Sequence, residues 1–361
     1  MRIAMLATSR HPIVEPYAGG QESHTAMLAR GLRRVGHHVR LYARAGTDPD
    51  LADEVVPYVD LPPLSEVAAL DHQLPEADFL TDHAAFTGAV AHLLDRGDVD
   101  VVHNQSLHFL PLAFSTVLDT PVVTTLHTPP FPWMELGVAL AGPEASYVCV
   151  SRANARDWTT LPAPPRIIHN GVEDDGLGPG PGGEHLVWTG RFTAEKGADI
   201  AIRAARRAGR PIRLAGPVSD RVWFDEVVAP ELGDDVQHVG HLSHDELADL
   251  VRSSAVALVT PRWDEPFGLV AAESAMWGTP VVALDRGGLS EFVTADIGVL
   301  VSPDGDDAYV EQGLGEAVTR AARMDRTRVH ECARDTLGAT RMVDEYAALY
   351  RELLLEHGAR S

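Results

Sequence analysis

The stretch WDEPFGLVAAE, residues 263–273, sets two carboxylates eight positions apart, Glu265 and Glu273, with Pro266-Phe267-Gly268 directly after the first. A residue before proline is biased away from helical dihedrals, so Glu265 belongs to a loop. The residues from Gly268 onward, GLVAAESAMWG, are good helix formers closed by Gly278, which places Glu273 in a helix body. Between the two acids lies a helix N-terminus, whose free N–H groups and dipole favour an anion. Acceptor carboxylates on either side of an anion site suit a ligand that carries both hydroxyls and phosphates, and a nucleotide sugar is such a ligand. The plainer alternative is an ordinary helix with one capping acid and one exposed glutamate.

The segment WTGRFTAEKGADIAI places Arg191 at a strand end and Lys196 five residues on, before a helix. Two cations beside a helix start can neutralise a diphosphate leaving group as its charge develops; a solvated loop with incidental charges is the alternative. Lys196 is the one lysine among thirty basic side chains, a compact ammonium of the kind that binds phosphate as a point charge. His127 ends PVVTTLHT and His103 ends DVVHNQ; strand C-terminal ends in α/β folds face ligand crevices. With 17 histidines in the chain, most are incidental, and His103 is read either as an acceptor contact or as a satisfied polar residue. Gly19 and Gly20 precede a helix in EPYAGGQESHTAML, where backbone can approach a phosphate without interference from Cβ. The dinucleotide fingerprint, the P-loop, the serine-hydrolase elbow and metal-ligand spacings are all missing.

The elements that would carry these groups follow from hydrophobic patterning. RIAMLAT, HVRLYAR, DVVHNQ, PVVTTLHT, SYVCVS and RIIHNG read as strands in the first half, apolar on consecutive positions as in a parallel sheet buried on both faces. Helical stretches such as GGQESHTAMLARGLRRVG and HAAFTGAVAHLLDRG lie between them. A Gly-, Pro- and acid-rich run, VEDDGLGPGPGGEH, reads as a linker, after which the pattern restarts with LVWTGR, PIRLAGP, VQHVGH, VALVTP, PVVALD and GVLVSP. Length agrees, since 361 residues exceed the usual size of one core. The expected organisation is an N-terminal Rossmann-like domain (1–172), a linker (173–184), a C-terminal nucleotide-sugar-binding Rossmann-like domain (185–340), and a helix (341–361) packing back toward the first domain. In paired domains of this kind the ligand crevice is expected at the C-terminal strand ends, between the two.

Composition narrows the class. A hydrophobic fraction of 45% with 23% charged residues is that of a globular protein, and no apolar run approaches membrane-spanning length. The N-terminus MRIAMLATSRHP reads as a strand rather than a secretory signal, so a cytoplasmic location is expected. The two cysteines, Cys149 and Cys332, suggest neither a disulfide framework nor a zinc site. A formal net charge of −22 argues against nucleic acid or an anionic membrane surface as partner.

With these residues assembled, the chain resembles the family-four retaining glycosyltransferases of the GT-B fold. The similarity runs over almost the whole length through GGQESH, TLHT, VSRANARD, HNGV, GRFTAEKG, LAGP, VGHLSHDEL and EPFGLVAAESAMWGTPVVALDRGGLSE. The resemblance implies that Glu273 accepts from the ribose hydroxyls and that Glu265 lies against the donor sugar. Backbone N–H groups around Phe267, Gly268 and Leu269 would meet the sugar and phosphates. It also implies that Arg191 and Lys196 clamp the diphosphate and that the Gly19-Gly20 loop closes over the phosphate. His127 would lie next to the reacting sugar, Gly240, His241 and Leu242 would hold the base, and Gly288 to Glu291 would close the floor below the phosphates. Two departures bear on interdomain geometry: His169 stands where the family commonly writes a proline before Asn170-Gly171, and the linker is unusually rich in Gly and Pro.

The resemblance further implies transfer with retention, no required metal or other cofactor, and UDP as the nucleotide, ahead of GDP and ADP. Acceptor contacts are expected from about Ser9 to His24, with His24 and His103 as candidates, and from the stretch after Leu61. That stretch, LPPLSEVAALDHQLPEADFLTDH, is acidic and would repel anionic lipids, so a soluble sugar, metabolite or natural-product acceptor is expected. The competing expectations are a non-hydrolysing sugar-nucleotide epimerase, a phosphorylase or sucrose-synthase-like enzyme, and a nucleotide-sugar-binding pseudo-enzyme.

Overall fold

The computed structural model describes residues 1–72 and 76–359; Gln73 to Pro75 of the acidic stretch and the last two residues of the expected C-terminal helix lie outside it. The described chain divides into two compact units. Unit 1 comprises Met1–Val150, Ala155–Ile168 and Met342–Ser361, and unit 2 comprises Ser151–Asn154 and His169–Arg341.

Unit 1 holds a parallel sheet of seven strands: β1 (Arg2–Leu6), β2 (His38–Ala43), β3 (Glu54–Pro57), β4 (Val101–Asn104), β5 (Val122–Leu126), β6 (Ser146–Cys149) and β7 (Arg166–Ile167). Its spatial order is β3-β2-β1-β4-β5-β6-β7. Strands β4 and β5 are buried at every position, because helices cover both faces and leave no polar side for an alternating pattern. Sequence patterning did not identify β3. Its four residues, EVVP, are half-exposed at the sheet edge and end in proline, which gives neither an apolar run nor a clean alternation.

Unit 2 repeats the arrangement with β8 (Leu186–Thr189), β9 (Ile212–Ala215), β10 (Val236–Gly240), β11 (Ala257–Val259), β12 (Val281–Leu284) and β13 (Gly298–Val301). The order is β10-β9-β8-β11-β12-β13. Its core packs Leu186, Trp188, Phe192, Ile202, Leu214 and Leu258 beneath the helices. In both sheets the order reverses beside the first strand, between β1 and β4 and between β8 and β11. Loops that leave the sheet in opposite directions open a crevice at such a switch point. Both units are therefore Rossmann-like doubly wound domains, the fold class read from the sequence.

The stretch 173–184 is bound into unit 2. Gly180 donates its N–H to Trp277 O (3.2 Å) and Gly182 donates to Arg252 O (3.0 Å). The Arg326 guanidinium fastens the same run, donating to the carbonyls of Gly180, Ser254 and Arg252 and to Thr279 Oγ1 at 2.7–3.0 Å. The final helix, Ala339–Gly358, enters unit 1 from Met342 onward. There Tyr346 and Tyr350 are fully buried, and Val343 occupies the space where a Cβ on Gly31 would stand.

Candidate active site

In unit 2 the loops leaving β8 and β11 are tied together. Gly197 adopts φ +69°, and a Cβ there would come within 2.0 Å of Thr260 O, so only glycine permits the approach. Thr260 Oγ1 donates to Gly197 O (2.7 Å) and Arg262 N donates to Glu195 O (2.8 Å). The Arg262 guanidinium grips both oxygens of Asp199 at 2.8 and 2.5 Å. Burial alone would raise the Asp199 carboxyl, but Arg262 and Arg203 together hold it below its ordinary value.

This brace brings Lys196 from one loop against Glu265 from the other, with Lys196 Nζ 3.0 and 2.8 Å from the two carboxylate oxygens. Sequence reasoning placed the two residues at the same ligand but gave no sign of this contact. It also missed Trp263, whose Nε1–H donates to Glu265 Oε2 (3.0 Å) and whose ring centroid lies 5.0 Å from Lys196 Nζ. Trp263 stands two residues before Glu265, and that adjacency was the available signal. An ammonium has three N–H donors. Two face Glu265, which leaves one for another acceptor. Arg191, on the β8 loop, is exposed and makes no side-chain hydrogen bond or ion pair among the described residues.

The helix Leu269–Met276 opens at Gly268, which has φ +101°. A Cβ at Gly268 would lie 2.4 Å from Leu289 Cδ2, so its missing side chain admits the β12 loop. The Gly288 N–H donates to Glu265 O at 2.7 Å, which fixes the Glu265 backbone. Phe267 is buried and stacks on Phe292 with ring centroids 4.9 Å apart. Glu273 lies one turn inside the helix, half-buried, and its carboxyl has no hydrogen bond among the described residues. Desolvation lifts it from 4.5 to about 7, opposed only by His244. A desolvated carboxyl with no hydrogen-bond partner is a candidate for a functional site.

The remaining donor-side residues are placed as follows. Gly240 ends β10 with φ +89°, and its carbonyl accepts from Gly216 N (2.8 Å); His241 is exposed and Leu242 half-buried. Glu291, read from the sequence as floor of the phosphate site, is held within unit 2. It accepts from the backbone N–H groups of Arg152 (3.1 Å) and Ala153 (2.8 Å) and from His169 Nε2 (2.9 Å). Burial pushes its carboxyl up, yet these donors bring it below its ordinary value. His169, the departure from the family's proline, thus has a structural partner.

In unit 1 the corresponding strand ends carry His127 after β5 and Gln105 after β4. Gly19 caps the helix Gly20–Arg34 in an extended conformation. From that helix Gln21 Nε2 donates to Gln105 O at 2.5 Å. His127 Nε2 lies 2.6 Å from Gln105 Oε1, and its ring meets the His24 ring edge-on at 4.8 Å. Desolvation, with His24 and His103 adding, holds His127 well below 6.5; it is a neutral imidazole in the physiological range. His24 and His103, read as acceptor contacts, are fully buried at 0% exposure and support His127 from behind.

Two Rossmann-like units with these strand-end groups are the GT-B architecture of nucleotide-sugar enzymes, and comparison with known proteins agrees. Residues 18–175 match the Glycosyltransferase Family 4 model, and residues 176–319 match Glycosyl transferases group 1. The chain is 30% identical to the glycogen synthase of Mycobacterium tuberculosis, over 91% of this chain and 90% of that protein. Among solved structures, sucrose-phosphate synthase from Thermosynechococcus elongatus superposes with a TM-score of 0.77 at 22% identity, covering 98% of this chain and 99% of that one. Anabaena Alr3699/HepE in complex with UDP-glucose gives 0.74 at 17% identity, covering 98% and 100%. The chain belongs to glycosyltransferase family 4, and it is a glycosyltransferase. Among the described residues, no helix is long and apolar enough to cross a membrane.

Proposed function

We propose that the protein is a retaining, metal-independent glycosyltransferase that moves a sugar from a UDP-sugar to a hydroxyl of a soluble sugar, metabolite or natural-product acceptor. The observation that carries this reading is the cationic pair at the β8/β11 switch point, Lys196 with one N–H to spare and Arg191 with its whole guanidinium to spare. The same unit holds Glu273, a carboxyl with no hydrogen bond among the described residues. The UDP complex of the Anabaena neighbour supports the choice of nucleotide.

In this mechanism the glycosyl–phosphate bond breaks as negative charge gathers on the diphosphate, and Lys196, Arg191 and the N–H groups at Gly268 stabilise that charge. The acceptor oxygen bonds to the anomeric carbon on the face the diphosphate leaves, and its proton passes to a leaving phosphate oxygen. Glu265, neutralised by Lys196 and oriented by Trp263, accepts hydroxyl hydrogens of the sugar instead of attacking carbon. A double-displacement nucleophile would need a facing carboxyl partner. Neutral His127 lies next to the reacting sugar, and Glu273 accepts from the ribose.

Calorimetric titration with UDP, GDP and ADP, repeated on Glu273→Ala, tests the reading. Saturable UDP binding that weakens in the variant is the expected result. A folded protein that binds none of the three overturns it.

A further inference from the structure

Unit 1 carries an aromatic surface that the donor chemistry does not use. It begins on the helix Ala77–Arg96, where Phe79, His83 and Phe86 recur at helical spacing and share one face. The Phe79 and His83 ring centroids lie 4.0 Å apart. His108, from the loop after β4, meets His83 edge-on at 5.0 Å and stacks on Phe86 at 4.7 Å. Phe109 stacks on Trp133 at 5.2 Å, and Trp133 lies 5.9 Å from Phe79, which closes the group. The helix Pro132–Leu140 comes this close because Gly137 has no side chain; a Cβ there would stand 3.1 Å from Phe109 Cα.

Trp133 has one face on Phe109 yet is 49% exposed, and Phe79 is 37% exposed. Large aromatic rings gathered at the surface mark a binding site more often than a lone exposed apolar residue does. Polar groups stand beside them. Buried Asp82 accepts from Ser9 Oγ (2.5 Å) and from the Arg10 guanidinium (2.9 Å), and Arg10 also reaches Asp78 at 3.5 Å. Two carboxylates against one guanidinium leave acceptor capacity over and a negative balance. Burial first, and the nearby His83 second, hold His108 down at about 4, so it is an uncharged ring near neutral pH. A pyranose ring matches this surface. Its C–H face is slightly positive and rests on electron-rich aromatic faces, and its hydroxyls donate to carboxylates. A phosphorylated sugar or an anionic lipid surface would meet the acids instead.

We propose that Trp133, Phe79 and Phe109, with Asp78, Asp82 and Arg10, form an acceptor subsite for an uncharged sugar ring. The loop after β4 sets its place. Gln105 meets His127 and Phe109, four residues on, meets Trp133, so the two backbone positions lie within about 14 Å. That span suits a glycoside or short oligosaccharide with one end at His127 and the other on Trp133. The link to transfer rests on the proposed place of His127 beside the reacting sugar; the ring-binding surface itself does not.

Full-length protein labelled with 15N-tryptophan reports the Trp133 indole N–H, identified by its loss in Trp133→Leu. It is titrated with cellobiose, maltose and lactose, and separately with glucose 6-phosphate, 2-naphthol, and phosphatidylcholine vesicles with and without phosphatidylglycerol. At least one disaccharide should shift the Trp133 signal saturably. Ligand-observed saturation transfer should then show that disaccharide bound about tenfold more weakly by Trp133→Leu and within about threefold of native by Trp133→Phe. Phe79→Ser gives a second weakened variant if Trp133→Leu folds poorly. Calorimetric UDP titration of each variant reports the nucleotide half separately and should be unchanged within about twofold. No Trp133 shift with any of the three disaccharides, equal affinity in the weakened variants, or a response confined to the phosphate, the naphthol or the vesicles would overturn the subsite. A native protein that binds a disaccharide at Trp133 but no UDP would instead overturn the proposed function and leave the subsite standing.

Discussion

Glu273 gives the sharpest quantitative expectation. Its carboxyl rests at about 7 in the folded protein against 4.5 when solvated, so between these values the folded chain holds a proton that the unfolded chain has released. Unfolding therefore releases a proton in this window, and stability falls as pH rises from 4.5 toward 7. The displacement corresponds to about 3 kcal/mol at full burial, and partial exposure of the side chain reduces this to about 1–3 kcal/mol. Glu273→Gln is nearly isosteric with the protonated acid. Native and variant should then be equally stable near pH 4.5, and the variant more stable by about 1–3 kcal/mol at pH 8. Urea unfolding followed by tryptophan fluorescence at several pH values reads this difference. Subtracting the two profiles removes Asp199 and Glu291, whose carboxyls are depressed and act in the opposite sense at lower pH. Parallel profiles for native and variant would refute the assignment of a desolvated, unpartnered acid. Under the proposed function the same change also weakens UDP binding, a trade of stability for ligand recognition.

Three further outcomes are expected. Lys196→Ala removes the ammonium held by Glu265 and should cost roughly 2–4 kcal/mol of transition-state stabilisation; a fall in turnover of less than about tenfold removes Lys196 from the mechanism. Gly268→Ala forces a Cβ to within 2.4 Å of Leu289 at φ +101°, so it should lower stability by roughly 1–3 kcal/mol in urea unfolding and impair nucleotide binding by calorimetry. Arg326→Gln strips donors from four acceptors and should cost about 2–4 kcal/mol, with faster protease cleavage within 173–184 as its second reading.

Much of this was legible in the sequence because the signals were local. Among the described residues, twelve of the thirteen strands lie in segments the sequence marks as largely apolar runs bounded by turn residues, since strands covered on both faces favour apolar side chains on consecutive positions. The Pro266-Gly268 punctuation placed Glu265 in a loop and Glu273 in a helix for the same local reason. Long-range pairing left no such mark. The contact of Lys196 with Glu265 spans 69 positions and that of His103 with Tyr350 spans 247, and neither residue type nor spacing encodes a partner so distant.

Burial is the second quantity that only the folded chain supplies. His24, His103 and His127 are the same residue type in similar strand-end or helix settings, yet two are sealed within unit 1 and the third is half-open. Gln105 looks like any polar residue after a strand, and only the fold sets its side chain between His103 and His127. The sequence by itself determined the two doubly wound units and the chemical types available at their strand ends, because backbone periodicity and turn chemistry act over a few residues. Tertiary structure decided which of those groups are paired, desolvated or left with a donor to spare, because hydrogen bonding and solvent exclusion depend on neighbours brought together by the whole fold.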